Sequence, residues 1–159
     1  MIPPDQFLRA YIRPVCSHLS RLNDRFASPA AEKLLLGTAI IESKMEEIYQ
    51  RGGGPAVSMM QIERETFEDV YERYLWIQRQ DLYALVNDFK FHGATAWDQL
   101  AGNQHLAVAI ARIKYWMAPD PLPAADDLIG LGQYYDRVYH GGNKGYGPRW
   151  VYKYQKHVK

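Results

Sequence analysis

A glutamate at the end of an apolar segment has the clearest potential for chemistry in this sequence. Six of the eight residues that precede Glu42 are apolar, and a glycine-containing segment follows it. Because apolar surroundings penalise a charged carboxyl group, we expect the pKa of Glu42 to be raised. A carboxyl group that stays protonated near neutral pH can act as a general acid. The alternative is an ordinary solvated glutamate, or one paired with a cation such as Arg51.

Three short segments have an informative order and spacing. Thr38–Ser43 ends in Glu-Ser, Ala56–Thr66 contains Ser-Met-Met-Gln, and Leu131–Tyr135 precedes a glycine-rich stretch. In this order they resemble the soluble lytic transglycosylase branch of the lysozyme-like superfamily, and most of all its small phage or prophage members. The resemblance spans residues 30–154 and implies a mainly α, lysozyme-like fold of the goose-type lysozyme kind.

The sequence departs from the pattern of that family at several positions. Pro55 and Ser58 stand where the family favours glycine, residues 63–65 read Glu-Arg-Glu in place of Met-Pro-x, and Tyr135 replaces the asparagine after the tyrosine. These departures motivate a second hypothesis, in which the protein is a virion or assembly component that keeps the lysozyme-like fold without turnover. Its partners would then be other virion proteins.

The resemblance implies how the site residues would work together. Glu42 is the acid and base, and Ser43, Gln61 and Tyr134 line the sugar groove or orient the acid. In such enzymes the acid protonates the oxygen of the β-1,4 bond between N-acetylmuramic acid and N-acetylglucosamine. It then takes a proton from the sugar's own 6-hydroxyl, which closes a 1,6-anhydro ring without a second carboxylate or a cofactor. The implied function is a lytic transglycosylase that acts on the peptidoglycan glycan strand.

A hydrolytic muramidase would instead need a second carboxylate, about 5 to 9.5 Å from the first, as nucleophile or to activate water. The acidic residues nearest in sequence are Glu46, Glu47, Glu63 and Glu65. Glu46 and Glu47 are so close to Glu42 that we expect them to be solvated charges. Glu63 is the best alternative, because its neighbour Gln61 is assigned to the groove, and we count it among the substrate-binding residues.

Aromatic residues make up 13% of the chain, and nine of them lie between Tyr115 and Tyr154. Aromatic faces stack on sugar rings, and they also fill cores well. The tryptophans that we expect in the core are Trp76, Trp97 and Trp116. Both interpretations stay open for the tyrosines near the glycine-rich segment 140–147, which are Tyr134, Tyr139 and Tyr146. Tyr139 is therefore a further candidate for substrate binding.

The elements that must position these residues are predicted to be helices. Apolar residues recur at helical spacing over residues 4–23, 30–43, 66–76, 81–89, 101–117, 124–139 and 148–157. We expect a break near Pro14, and N-caps at Ser28 and Thr66. The segments 30–43 and 101–117 are apolar on all sides, which is typical of buried helices.

The intervening residues 44–63 lack periodicity and contain Gly52-Gly53-Gly54-Pro55, which predicts a long loop with a small irregular hairpin. A chain of 159 residues fits one domain. We predict a single lysozyme-like domain over residues 1–159, with residues 1–28 as an N-terminal helical segment and residues 29–159 as the transglycosylase-like core.

Composition excludes several other classes of function. A net charge of +1 gives no field that attracts nucleic acid, which disfavours a DNA-binding role for the basic residues after position 143. No apolar run is long enough to span a bilayer. We expect no metal site, because no zinc spacing joins His92, His105, His140 and Cys16.

The start Met-Ile-Pro-Pro lacks the basic and then apolar pattern of a secretion signal. We therefore expect synthesis in a host cytoplasm. The resemblance then implies action in the periplasm or cell wall, or as part of a virion.

Overall fold

Helices provide the regular structure in the computed structural model, which describes every residue from Met1 to Lys159. The α-helices are α1 (Pro4–Phe7), α2 (Arg13–Leu19), α3 (Pro29–Ser43), α4 (Arg64–Phe67), α5 (Gln80–Asn87), α6 (Ala96–Gln99), α7 (Gln104–Trp116), α8 (Leu128–Tyr134) and α9 (Gly147–His157). The π-helical segments that continue α1, α4 and α8 are Leu8–Ile12, Glu68–Gln78 and Tyr135–Tyr139. Short 3₁₀ turns lie at Asp24–Phe26 and Arg51–Gly53. The predicted mainly α class is confirmed, and no helix is both long and apolar enough to cross a membrane.

The helices α3 and α7 form the centre of the domain, and both are buried over most of their length, as predicted. α3 begins after Ser28, whose Oγ accepts a hydrogen bond from the N–H of Ala31 (3.0 Å). α7 begins later than predicted because Asn103 is its cap. The Oδ1 of Asn103 accepts a hydrogen bond from the N–H of Leu106 (3.0 Å).

The N-terminal helix continues past Pro14 instead of breaking there. Proline has no N–H, so Pro14 cannot bond to the carbonyl of Ala10 as a helical residue would. The π-helical turns at Leu8–Ile12 widen the helix just before the proline. The freed carbonyl of Ala10 accepts a hydrogen bond from His105 Nε2 (2.8 Å), which joins this helix to α7.

The last helix, α9, packs closely on α3 at a glycine. A Cβ atom added at Gly37 would overlap the indole ring of Trp150, which is fully buried. Gly37 therefore makes room for the indole ring between the two helices.

The start of α4 differs from the predicted N-cap at Thr66. The helix begins at Arg64, after Glu63 with its extended backbone, so Thr66 lies inside the first turn. The helical run then extends to Gln78. Helix α6 had no counterpart among the predicted elements.

The predicted irregular hairpin is present in the loop after α3. Val57 and Ile62 exchange two backbone hydrogen bonds (3.0 and 2.9 Å), and Val57 also bridges to Tyr49. Ser58 and Gln61, which lie in the turn, adopt left-handed backbone angles (φ 70° and 48°). These angles favour glycine, so the turn is strained at both positions.

Candidate functional site

Glu42 lies in the last turn of α3, and its side chain is 19% exposed. The hydroxyl of Tyr135 donates a hydrogen bond of 2.6 Å to Oε1 of Glu42. Burial raises the pKa of the Glu42 carboxyl, while the Tyr135 hydrogen bond and the charge of Lys114 oppose that rise. The direction agrees with the prediction from sequence. The alternative pairing is wrong, because Arg51 forms its ion pair with Glu47.

The tyrosine at the carboxyl group is Tyr135, and not Tyr134 as the sequence motif suggested. Consecutive helical residues point about 100° apart, so only one of the two side chains can face Glu42. The hydroxyl of Tyr134 points elsewhere and donates to the carbonyl of Asp120 (2.9 Å). Tyr135 therefore takes the place that the motif comparison gave to Tyr134.

Ser43 and Gln61 stabilise the backbone around the site. Ser43 is buried, and its Oγ donates to the carbonyl of Ala39 and accepts from the N–H of Met45 (both 3.0 Å). Gln61 Nε2 donates to the carbonyl of Ser58 (2.8 Å), within the hairpin turn. Ser43 thus closes the end of α3, and Gln61 holds the turn in shape.

Tyr139 connects two parts of the site from inside the core. It is buried, and its hydroxyl donates to the carbonyl of Met60 in the hairpin (2.6 Å). Its ring stacks on those of Tyr115 and Tyr135, with centroids 5.3 and 6.1 Å apart. Of the two interpretations of Tyr139, the structure favours packing over sugar stacking.

Two basic side chains act on Glu42 that the sequence did not indicate as its neighbours, His140 by proximity and Lys114 by its charge. His140 Nδ1 is 4.0 Å from Glu42 Oε1 and 3.5 Å from the Tyr135 hydroxyl, and burial lowers the pKa of His140. Lys114 Nζ donates to the carbonyl of Tyr139 (3.0 Å) and lies 4.7 Å from the centre of its ring. Burial also lowers the pKa of Lys114, whereas the charge of Glu42 raises it. The signal for Lys114 was its place on a helix that is buried over most of its length.

A third missed residue, Asp136, shapes the glycine-rich loop. Its carboxylate is buried and accepts backbone N–H bonds from Lys144 (3.2 Å), Gly145 (2.9 Å) and Tyr146 (3.1 Å). The loop places the rings of Tyr146 and His140 in contact, with centroids 4.0 Å apart. Asp136 therefore determines where His140 stands relative to Glu42.

Among the other carboxylates considered, Glu63 is the one whose charge acts on Glu42. Glu63 is exposed and directly precedes α4. Glu46 pairs with the terminal amine of Met1 (3.0 Å), and Glu47 pairs with Arg51. Glu63 thus remains the candidate for a second carboxylate.

The tryptophans predicted to lie in the core do not all do so. Trp116 is half-buried and stacks on Phe26 (3.9 Å), and Trp97 packs near Phe67 (5.4 Å). Trp76 is 53% exposed, so its placement in the core is wrong. It lies on the outer side of the π-helical segment Glu68–Gln78.

The arrangement can deliver and recover a proton. Glu42 is a partly buried acid, Tyr135 donates to it, and Lys114 and His140 lie near the charge that proton release would create. No group of three or more His, Cys, Asp or Glu side chains is placed to hold a metal ion. No protein-family model matches the chain, and no curated protein or solved structure matches it either.

Proposed function

We propose that this protein is a lytic transglycosylase that cleaves the β-1,4 bond between N-acetylmuramic acid and N-acetylglucosamine in peptidoglycan. The observation that carries this proposal is the half-buried Glu42 carboxyl, which accepts a 2.6 Å hydrogen bond from Tyr135 at the end of a buried helix. The sequence motifs described above add support, and so does the raised pKa of Glu42. The lysozyme-like fold is part of the same proposal.

In the first step, the protonated Glu42 donates its proton to the glycosidic oxygen as the bond to the sugar C1 breaks. The carboxylate that forms keeps the hydrogen bond from Tyr135 and is attracted by Lys114. In the second step, the sugar's 6-hydroxyl oxygen attacks C1 and gives its proton to Glu42. The ring closes as a 1,6-anhydro sugar, and Glu42 returns to its protonated form.

In this proposal the substrate contacts Glu42 together with His140, which is 4.0 Å away, and with Glu63, whose charge acts on Glu42. Their polar groups would contact the hydroxyl and amide groups of the sugars. The site of action would be the periplasm or cell wall, reached from a host cytoplasm or by a virion that carries the protein.

Digestion of purified sacculi tests the proposal through the products. We expect anhydro-muropeptides from the wild type, and at least about a 100-fold loss in Glu42→Gln, since general acid catalysis contributes roughly that much or more. Glu65→Gln is the matched control, because it removes an exposed carboxylate and should keep full activity.

Other outcomes would assign other functions. Reducing ends instead of anhydro ends would indicate a muramidase, with Glu63 as the second carboxylate, and Glu63→Gln would then be inactive. A folded wild type that releases no product would favour the non-catalytic virion component.

A further inference from the structure

A cavity separate from Glu42 lies near the C-terminal end of α7. Its volume is about 730 Å³, within the range of small-molecule sites. It is bounded by the end of α7, the proline-containing residues 117–122 and the start of α3. Neither Glu42, Tyr135 nor His140 lines it.

The cavity is lined by a buried cation, Arg112, which is 2% exposed. Its Nε donates to the carbonyl of Phe26 (3.1 Å), and its Nη2 donates to the carbonyl of Arg25 (3.0 Å). No carboxylate pairs with it, and the ionisable groups around it are the thiol of Cys16 and the phenols of Tyr115 and Tyr134. Arg112 is therefore a buried positive charge without a counter-ion.

The free edge of the guanidinium is the edge that binds oxyanions well. The two carbonyl bonds use Nε and one N–H of Nη2, so Nη1 and the second N–H of Nη2 remain without a protein acceptor. Arg112 is on the lining of the cavity, so a ligand in the cavity can approach this edge. Two parallel N–H groups of this kind match the two oxygens of a carboxylate.

The walls of the cavity suit a flat apolar ring. Tyr74, Trp116 and Tyr134 line it, and so do Pro119 and Leu122. Aromatic side chains can stack on a ring that enters the cavity.

The charges at the rim favour an anionic ligand. Arg25 is an exposed cation on the lining, whereas Asp120 is a carboxylate that also pairs with Arg137 (3.4 Å). Together with Arg112 this gives a small positive excess. The free edge of Arg112 is the place on the lining that offers paired N–H donors to an oxyanion, so the cavity provides for one carboxylate, and a second anionic group on the ligand would lack such donors.

We propose that this cavity binds a monocarboxylate carried on a flat ring, with the carboxylate on the free edge of Arg112 and the ring against the aromatic wall. This site is independent of the chemistry at Glu42. The alternative role for Arg112 is only to fasten the turn Asp24–Phe26 to α7.

Nuclear magnetic resonance titration of the full-length protein tests the site. The probes are benzoate, its neutral analogue benzamide and the dianion phenyl phosphate, and the reporters are the Trp116 indole N–H and the Arg112 Nε–H. We expect saturable shifts with benzoate, at least about 10-fold weaker binding of benzamide, and no tighter binding of phenyl phosphate. Equal affinity for benzoate and benzamide, or no shift at either reporter, would overturn the proposal. Tighter binding of phenyl phosphate would overturn the assignment to a monocarboxylate.

Substitutions of the lining residues test whether they bind benzoate. Arg112→Lys keeps a charge but loses the two-pronged geometry, so benzoate affinity should fall about 10-fold. If that variant does not fold, Arg25→Gln takes its place and should lower the affinity for benzoate several-fold. The matched control is Arg21→Gln, an exposed cation outside the lining, which should change nothing. An effect of Arg21→Gln as large as that of Arg25→Gln would indicate nonspecific attraction and refute the site.

Discussion

Glu42 and Arg112 each place an ionisable group in apolar surroundings, and the two groups respond in different ways. A carboxyl group can lose its charge by binding a proton, so burial raises the pKa of Glu42. A guanidinium stays charged at ordinary pH, even though burial lowers the pKa of Arg112. The acid can therefore become a proton donor, whereas the cation must find acceptors.

The partners of the two groups follow this difference. Glu42 has Tyr135 and Lys114, which stabilise its charged form when a proton leaves. Arg112 has two backbone carbonyls and the ring faces of Phe26 and Trp116, 5.3 and 5.8 Å away. One site is complete within the protein, and the other leaves donors free for a ligand.

The largest expected difference between Arg112 and Glu42 is in how much each contributes to the free energy of unfolding. Arg112→Gln loses two charge-assisted hydrogen bonds, so we expect the free energy of unfolding to fall by about 2 to 4 kcal/mol. Glu42→Gln keeps the side-chain shape and removes the cost of burying a charge, so we expect no loss at pH 7. Urea denaturation measures both values. Similar losses of unfolding free energy in the two variants would contradict the view that the buried acid can become neutral whereas the buried cation cannot.

A smaller effect concerns the hydrogen bond at Glu42. Tyr135→Phe removes the donor that stabilises the carboxylate, so we expect about a 10-fold lower kcat/KM. The pKa of Glu42 should rise further, which moves the alkaline limb of the pH–rate profile to higher pH. Tyr134→Phe is the matched control, because its hydroxyl bonds to Asp120 and not to the acid. Equal losses in both variants would show that the Tyr135 bond is not specific to catalysis.

The smallest effect is a pH dependence that only the acid should show. The pKa of Glu42 is higher in the folded protein than the value of about 4.3 for an unfolded glutamate, so the unfolded chain loses its proton first. Stability conferred by the protonated carboxyl is therefore present below about pH 4.3 and lost as the pH rises through the folded pKa.

Thermal unfolding between pH 4 and pH 8 measures this dependence. The wild type should lose stability relative to Glu42→Gln as the pH rises. The difference between the wild type and Arg112→Gln should stay constant, because the guanidinium keeps its charge. A constant difference for Glu42→Gln would mean that the pKa of Glu42 is not raised.

Local signals in the sequence were enough to predict α3, its cap and the acid at its end. Ser28 and Pro29 fix the start of the helix, and the apolar run that follows it requires burial. The hairpin was also predictable, because Gly52-Gly53-Gly54-Pro55 rules out a continued helix. Each of these features depends on neighbours in the chain.

The missed features depend on contacts between distant segments. The choice between Tyr134 and Tyr135 depends on the rotation of α8, which the Asp127 cap and the packing of α9 determine. A shift of one residue turns the side chain away from the acid. The lack of a carboxylate partner for Arg112 could not be predicted either, because no sequence pattern shows which side chains surround it in the fold.

The carbonyl of Ala10, which Pro14 leaves without its helical bond, also couples the effects of substitutions at Pro14 and at His105. A change of Pro14 to alanine would add a backbone N–H that shares the Ala10 carbonyl with His105. A change of His105 would leave that carbonyl unbonded next to the proline. The change in stability caused by a substitution at either position should therefore depend on the residue at the other position.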